Sequence, residues 1–155
     1  RDVIEVLGSF IDWSNREPTA FVNQYAAKTV EEKCDMLMNT DGQIVKELIG
    51  IKHLLNHQSK EIYHIVKFND LVKNTENTID GVYNFLGIPK FKHDFNNIGQ
   101  FKVNDMGYDD TIVGNGLHTL TTGAISDYKE KYNAYSIIPK SIIEKYKQCN
   151  FWEEI

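Results

Sequence analysis

The chain opens on an alternation of apolar and polar residues that has helical spacing. Four apolar residues repeat at i, i+3, i+4 and i+7: Val3, Val6, Leu7 and Phe10. This spacing predicts a helix with one buried face. Asp2 precedes the apolar positions and is a favoured N-cap residue, whose charge suits the positive end of the helix dipole. The first element of the chain is therefore predicted to be an amphipathic helix.

Further helices are predicted from periodicity and from start and stop signals. The longest covers residues 43–57 and places its apolar residues on one face. Thr29 begins a capping box, in which a threonine and a glutamate three residues later satisfy each other's backbone donors. A helix capped by Thr75 or Thr78 is expected to stop at Gly87, and the last helix is expected to start near Pro139.

One segment has the composition of a β-strand. Residues 61–68 are rich in β-branched and aromatic side chains and are almost continuously apolar, which is typical of a buried parallel strand. A single strand cannot form a sheet, and the order helix–helix–strand–helix fits the back half of an α/β fold. The sequence therefore predicts an α/β fold whose other strands precede Arg1.

Composition limits the classes of protein and partner. With 155 residues, the chain is predicted to form a single domain over residues 1–155, and its shares of 41% apolar and 25% charged residues are those of a globular protein. The net charge of −5 argues against a nucleic acid partner. No apolar run is long enough to cross a membrane, and no signal peptide is recognised.

The cysteines indicate the compartment. Cys34 and Cys149 lie far apart without the spacing of a metal site, so they are interpreted as reduced thiols of a cytoplasmic protein. A single disulfide bridge between them remains the alternative.

The first helix also carries a candidate anion site. Arg1 stands at the expected helix start, where a guanidinium can hold an anion with two parallel hydrogen bonds, and Ser9 follows two turns later. The helix start is expected to offer unpaired backbone N–H groups to the same anion. The alternative is a solvated arginine and a serine that merely fits a helix face.

A metal site is not predicted. His53 and His57 have the i, i+4 spacing of zinc-protease helices, but Leu54 follows His53 where such helices carry a glutamate, and a third ligand is lacking. A polar or capping role is the expected one. The chain also lacks a Gly-x-x-x-x-Gly-Lys-Ser/Thr phosphate loop.

Three segments, in this order, resemble the sulfotransferases that use 3′-phosphoadenosine-5′-phosphosulfate (PAPS). Residues 1–9 resemble the family segment Arg-(Asp/Asn)-Pro-x-(Asp/Glu)-Val-x-x-Ser, with Val3 in the place of proline. Residues 65–71 and 83–89 resemble its Tyr-Glu-Asp-Leu and Phe-Leu-Gly-(Ile/Leu)-Pro segments. Residues 121–129 are similar to its Arg-Lys-Gly loop, which is followed by Asp-Trp-Lys.

The resemblance implies roles for particular residues. Arg1 and Ser9 match the residues that bind the 3′-phosphate of the donor. Phe68 stands at the tyrosine that contacts the adenine, and keeps the ring without the hydroxyl. Gly123 keeps the loop glycine, whereas Thr121 and Thr122 replace two cations and retain only hydroxyl donors. These six residues are the predicted cofactor-binding residues, and no catalytic residue is assigned.

The resemblance also implies a fold and a function. The fold is the three-layer α/β fold of P-loop type with a parallel sheet, mostly helical here because its N-terminal strands would precede Arg1. The function is transfer of sulfonate from PAPS, without a metal, to a hydroxyl or amine of a small-molecule or glycan acceptor. The alternative is a non-catalytic helical α/β remnant that acts in protein–protein association.

Overall fold

The structure is a computed structural model, and it describes residues 1–57, 60–99, 102–103, 106–107, 122–125 and 133–151. The described residues form eight α-helices, two short strands and two single 3₁₀ turns. The helices are α1 Val3–Arg16, α2 Phe21–Gln24, α3 Val30–Leu37, α4 Gln43–Leu55, α5 Phe68–Lys73, α6 Thr75–Leu86, α7 Ala134–Ile137 and α8 Lys140–Tyr146. The strands are β1 Lys102–Val103 and β2 Met106–Gly107, and the 3₁₀ turns are Lys60–Ile62 and Lys147–Cys149.

The chain divides into two compact units. The first comprises Arg1–Lys60 and Lys131–Ile155, and the second comprises Glu61–Glu130. The first unit is thus built from two separate stretches of sequence, and the second from one continuous stretch.

The first unit is organised around α1. This helix packs against α2, α3, α7 and α8, and Ile4 and Leu7 on its inner face have no exposed surface. Burying one such aliphatic side chain stabilises the folded state by about 1.5–3 kcal/mol. Other elements of this unit supply further buried side chains, among them Val22, Cys34, Leu37, Ala134, Ile138 and Ile142.

The predicted capping box and the signals at Gly87 and Pro139 are confirmed by the described residues, whereas the N-cap of α6 is Asn74 rather than Thr75 or Thr78. Thr29 and Glu32 form the capping box at the start of α3, and Pro139 is the N-cap of α8. Residues 43–57 form α4 over Gln43–Leu55, two residues shorter than predicted. Gly87 ends α6 in the left-handed region, at φ 64°, where a side chain would strain the backbone.

The prediction of a three-layer α/β fold with a parallel sheet is wrong. Strand pairing in the described part of the chain consists of the antiparallel pair β1–β2 and one antiparallel bridge between Ile98 and Gly123. Residues 61–68, predicted as a parallel strand, form the end of a 3₁₀ turn, an unpaired stretch and the first residue of α5. A composition that favours strands does not form one without a neighbouring strand to complete its backbone hydrogen bonds.

Candidate functional site

The backbone donors at the start of α1 are already paired. The Asp2 carboxylate Oδ1 accepts from the N–H of Ile4 at 2.6 Å and from the N–H of Glu5 at 3.4 Å. The side chain of Asn150 accepts from the N–H of Val3 at 2.7 Å. The expectation that this helix start offers unpaired N–H groups to an anion is therefore wrong.

The second oxygen of the same carboxylate is held by the far end of the chain. Asp2 Oδ2 accepts from the hydroxyl of Tyr135 at 3.0 Å and from the amide of Asn150 at 2.7 Å. These bonds fix a negative charge at the positive end of α1, where it is favourably placed relative to the helix dipole. A bound phosphate at this position would have to share the helix start with that charge.

Arg1 lies at the start of α1, whereas Ser9 lies two turns further along the helix. Arg1 immediately precedes the Asp2 cap and is half-buried, and Ser9 is half-buried within α1. Ser9 lies about 9 Å along the helix axis from the first helical residue, at 1.5 Å per residue. One phosphate therefore reaches both residues only if the arginine side chain extends along α1.

Carboxylates flank Ser9 on the helix surface. Glu5 lies four residues before Ser9 and Asp12 lies three residues after it, so both are neighbours of Ser9 on α1. Asp12 forms an ion pair with Arg16 at 2.8 Å, which offsets its charge. Both carboxylates place negative charge beside an anion at Ser9.

The other predicted cofactor residues belong to the second unit. Phe68 is half-buried and is the first residue of α5, rather than the end of a strand. Gly123 has φ 109° and exchanges two backbone hydrogen bonds of 2.9 Å with Ile98, while Thr122 beside it is exposed. Thr121 lies outside the described residues, as do the residues that follow Ile125 in the third matched segment.

The second unit contains an aromatic cluster that the sequence analysis did not single out. The hydroxyl of Tyr83 on α6 and Nε2 of His93 are 2.8 Å apart, within hydrogen-bonding distance. The rings of Phe91 and Phe95 lie 5.0 and 5.3 Å from the His93 ring, centroid to centroid. The sequence carries a signal for this cluster, because aromatic rings alternate with polar residues over positions 91–95.

Neither a group of metal ligands nor a membrane-spanning helix is found among the described residues. No three metal-binding side chains come together among the described residues, and both His53 and His57 are exposed. In the part of the chain that the structure describes, every helix is too short or too polar to cross a bilayer.

Comparisons with protein-family models, with curated proteins and with solved structures each found no match for this chain. The resemblance to sulfotransferases therefore rests on the three residue segments and on their order along the chain.

Proposed function

We propose that this chain is a PAPS-dependent sulfotransferase, or part of one, in which Arg1 and Ser9 hold the 3′-phosphate of the donor. The reaction is transfer of sulfonate from PAPS to a hydroxyl or amine of a small-molecule or glycan acceptor. The observation that carries the proposal is the arrangement of Arg1 directly before α1 with Ser9 two turns along that helix. The order of the three matched segments supports it.

The contribution of these residues is to position the donor. A bidentate hydrogen bond from a guanidinium to a phosphate is worth about 1.5–3 kcal/mol. Binding energy from a remote phosphate holds the reacting sulfur in place for in-line transfer. The roles of Phe68, Thr121, Thr122 and Gly123 toward the rest of the donor stay predictions, and the general base is unassigned.

The test measures binding of adenosine 3′,5′-bisphosphate, the product of the donor, to the full chain by titration calorimetry. We expect Arg1→Ala to weaken binding about ten- to a hundredfold, which corresponds to the loss of about 1.4–2.8 kcal/mol. Lys46→Ala is the matched control, because Lys46 is an exposed cation on α4 and is not among the predicted cofactor-binding residues. Adenosine 5′-monophosphate, which lacks the 3′-phosphate, should bind wild type and Arg1→Ala equally.

A second variant tests the charge around Ser9. Removing the nearby negative charge with Glu5→Gln should strengthen binding of the bisphosphate about two- to fivefold at low salt, and this gain should shrink as salt is added. Equal affinity of wild type and Arg1→Ala for the bisphosphate would overturn the assignment of Arg1.

A second candidate function is non-catalytic association with other protein chains. The observation that favours it is a run of exposed apolar side chains in the second unit, between the end of α6 and residue 91: Phe85, Leu86, Ile88 and Phe91. A chain that fails to bind the bisphosphate, and whose mass by light scattering rises with protein concentration, would support this function instead of sulfonate transfer.

We also propose that the protein works in the cytoplasm. Cys34 is buried and Cys149 is half-buried, and both are free thiols, as expected in a reducing compartment. The distribution of a fluorescent fusion of the full chain tests this location.

A further inference from the structure

The aromatic cluster of the second unit is formed by Tyr83, Phe91, His93 and Phe95, and we name it the aromatic corner. The Phe91 ring meets the His93 ring edge-on, at an interplanar angle of 70°, whereas the Phe95 ring is stacked on His93 at 24°. Phe91 is 68% exposed, more than the other large apolar side chains in the described residues. A single exposed leucine is ordinary on a protein surface, but an ordered, exposed aromatic group of this size is not.

The corner is held in place from several sides. Positions 91 and 93 lie in an unpaired stretch after the stop of α6 and position 95 begins a turn, and the rings of Phe91 and Phe95 both contact the His93 ring. Lys90 pairs with Asp80 of α6 at 2.6 Å, and the backbone carbonyl of Phe95 accepts from the N–H of Ile125 at 2.9 Å. Because the rings are fixed before binding, little side-chain entropy is lost when a ligand stacks on them.

The polar groups around the corner suit a ligand with many hydroxyls. Exposed side chains with hydrogen-bonding groups alternate with or follow the rings, at Lys92, Asp94 and Asn96. The backbone N–H of Asn96 donates to the Asp94 carboxylate at 3.1 Å, which orders the turn beyond the rings. The corner thus combines flat apolar faces with donors and acceptors within a few residues.

Exposure and charge decide between classes of ligand. Drug-sized ligands are usually enclosed over most of their surface, whereas Phe91 and His93 are exposed and suit a polymer that lies along the surface. Residues 61–99 carry four lysines and five acidic side chains, so this stretch lacks the positive charge that a nucleic acid strand requires. An uncharged polymer with flat apolar faces and many hydroxyls satisfies both conditions.

We propose that the aromatic corner is a binding site for an uncharged glycan. The apolar C–H face of a pyranose ring stacks on Phe91, attracted by the negative face of the aromatic ring, and its hydroxyls reach Lys92 and Asp94. This inference concerns binding alone and does not rest on sulfonate transfer or on Arg1.

The test titrates the full chain with cellohexaose, chitohexaose and mannohexaose by calorimetry. At least one of them should bind saturably to wild type, and Phe91→Ala should weaken that binding at least about fivefold, the loss of one aromatic contact. Phe91→Tyr keeps the ring and should bind within about twofold of wild type. Ile88→Ala is the matched control, because Ile88 is apolar and 49% exposed in the same unit but has no ring.

Three results would overturn the proposal. They are the absence of saturable binding with all three sugars, equal sugar affinities of wild type and Phe91→Ala, and tighter, salt-dependent binding of a thymidine oligonucleotide to the corner. Far-ultraviolet circular dichroism confirms that each variant is folded, which is expected because Phe91 is mostly exposed. Binding of adenosine 3′,5′-bisphosphate is a separate measurement, so that failure of one proposal leaves the other standing.

Discussion

The side chain of Asn150 accepts a hydrogen bond of 2.7 Å from the backbone N–H of Val3, the first residue of α1. The amide group of the same side chain donates to the Asp2 carboxylate at 2.7 Å. One asparagine therefore satisfies a backbone donor that the helix itself cannot pair, and also orients the N-cap residue.

Asn150→Ala should destabilise the protein by about 1–3 kcal/mol, since it leaves the part-buried Val3 N–H without its acceptor. The measurement is urea denaturation followed by circular dichroism. Asn77→Ala is the control, because Asn77 is exposed and its side chain donates to the side chain of Asn74, the N-cap of the same helix. Equal destabilisation of both variants would show that the bond to Val3 contributes nothing specific.

Replacing Gly87 and Gly50 by alanine should change the stability of the protein in opposite directions. Gly87 has a positive φ at the end of α6, so Gly87→Ala should cost about 1–2 kcal/mol. Gly50 lies within α4 with open space where a Cβ would stand, so Gly50→Ala should stabilise the chain by about 1 kcal/mol. Thermal unfolding of the two variants beside wild type measures both effects, and a gain in stability from Gly87→Ala would contradict the left-handed helix end.

Acid should remove a contribution to stability that comes from Asp35. Partial burial acts to raise the pKa of Asp35, but hydrogen bonds from Lys145 and Tyr146 outweigh it, and the net pKa is lowered. A carboxyl whose folded-state pKa is lowered stabilises the protein above its unfolded pKa of about 3.9, and this stability is lost as the pH falls further.

Wild type should therefore be more stable than Asp35→Asn at pH 6, and the difference should shrink as the pH falls below about 4. Denaturation of both proteins across this range is the measurement, with Asp41→Asn, an exposed turn residue, as control. The difference should be modest because Asp35 and Lys145 are each about half exposed. A difference that stays constant down to about pH 3 would contradict a charge-dependent role for Asp35.

The two thiols should differ in reactivity. Burial, followed by the nearby charges of Asp35 and Glu31, raises the pKa of Cys34 to about 12, and partial burial also raises the pKa of Cys149. Because the thiolate is the reactive form, iodoacetamide at pH 8 should modify Cys149 in the native protein and reach Cys34 only after unfolding. Mass spectrometry of digested protein identifies the modified site, and rapid native labelling of Cys34 would contradict its burial.

Sequence signals that depend on a few neighbouring residues predicted the structure well. The Thr29 capping box, the Gly87 stop and the Pro139 start each involve contacts within about one helical turn, and all three are confirmed. The prediction of a strand over residues 61–68 was wrong because a strand also needs a partner strand. Composition carries no information about whether one is present.

Long-range contacts limit how much of the candidate site could be predicted from the sequence. The sequence predicted Asp2 as the N-cap of α1, but the role of Asn150 was not predictable, because the two residues are 148 positions apart. The aromatic corner was missed for a different reason: its alternation spans only residues 91–95, too short a stretch for periodicity to distinguish from chance.

The hydrogen bond between Val3 and Asn150 can form only after residue 150 has been synthesised, so the start of α1 acquires this acceptor late. The two residues are 147 positions apart, and ribosomes add about 5–20 residues per second, so about 7–30 s separate their synthesis. For most of this interval α1 has its early partners α2 and α3 but lacks α7 and α8, so the part of its apolar face that packs on those two helices stays uncovered. A chaperone that binds the nascent chain would therefore find this part of α1 exposed until α7 and α8 have been made.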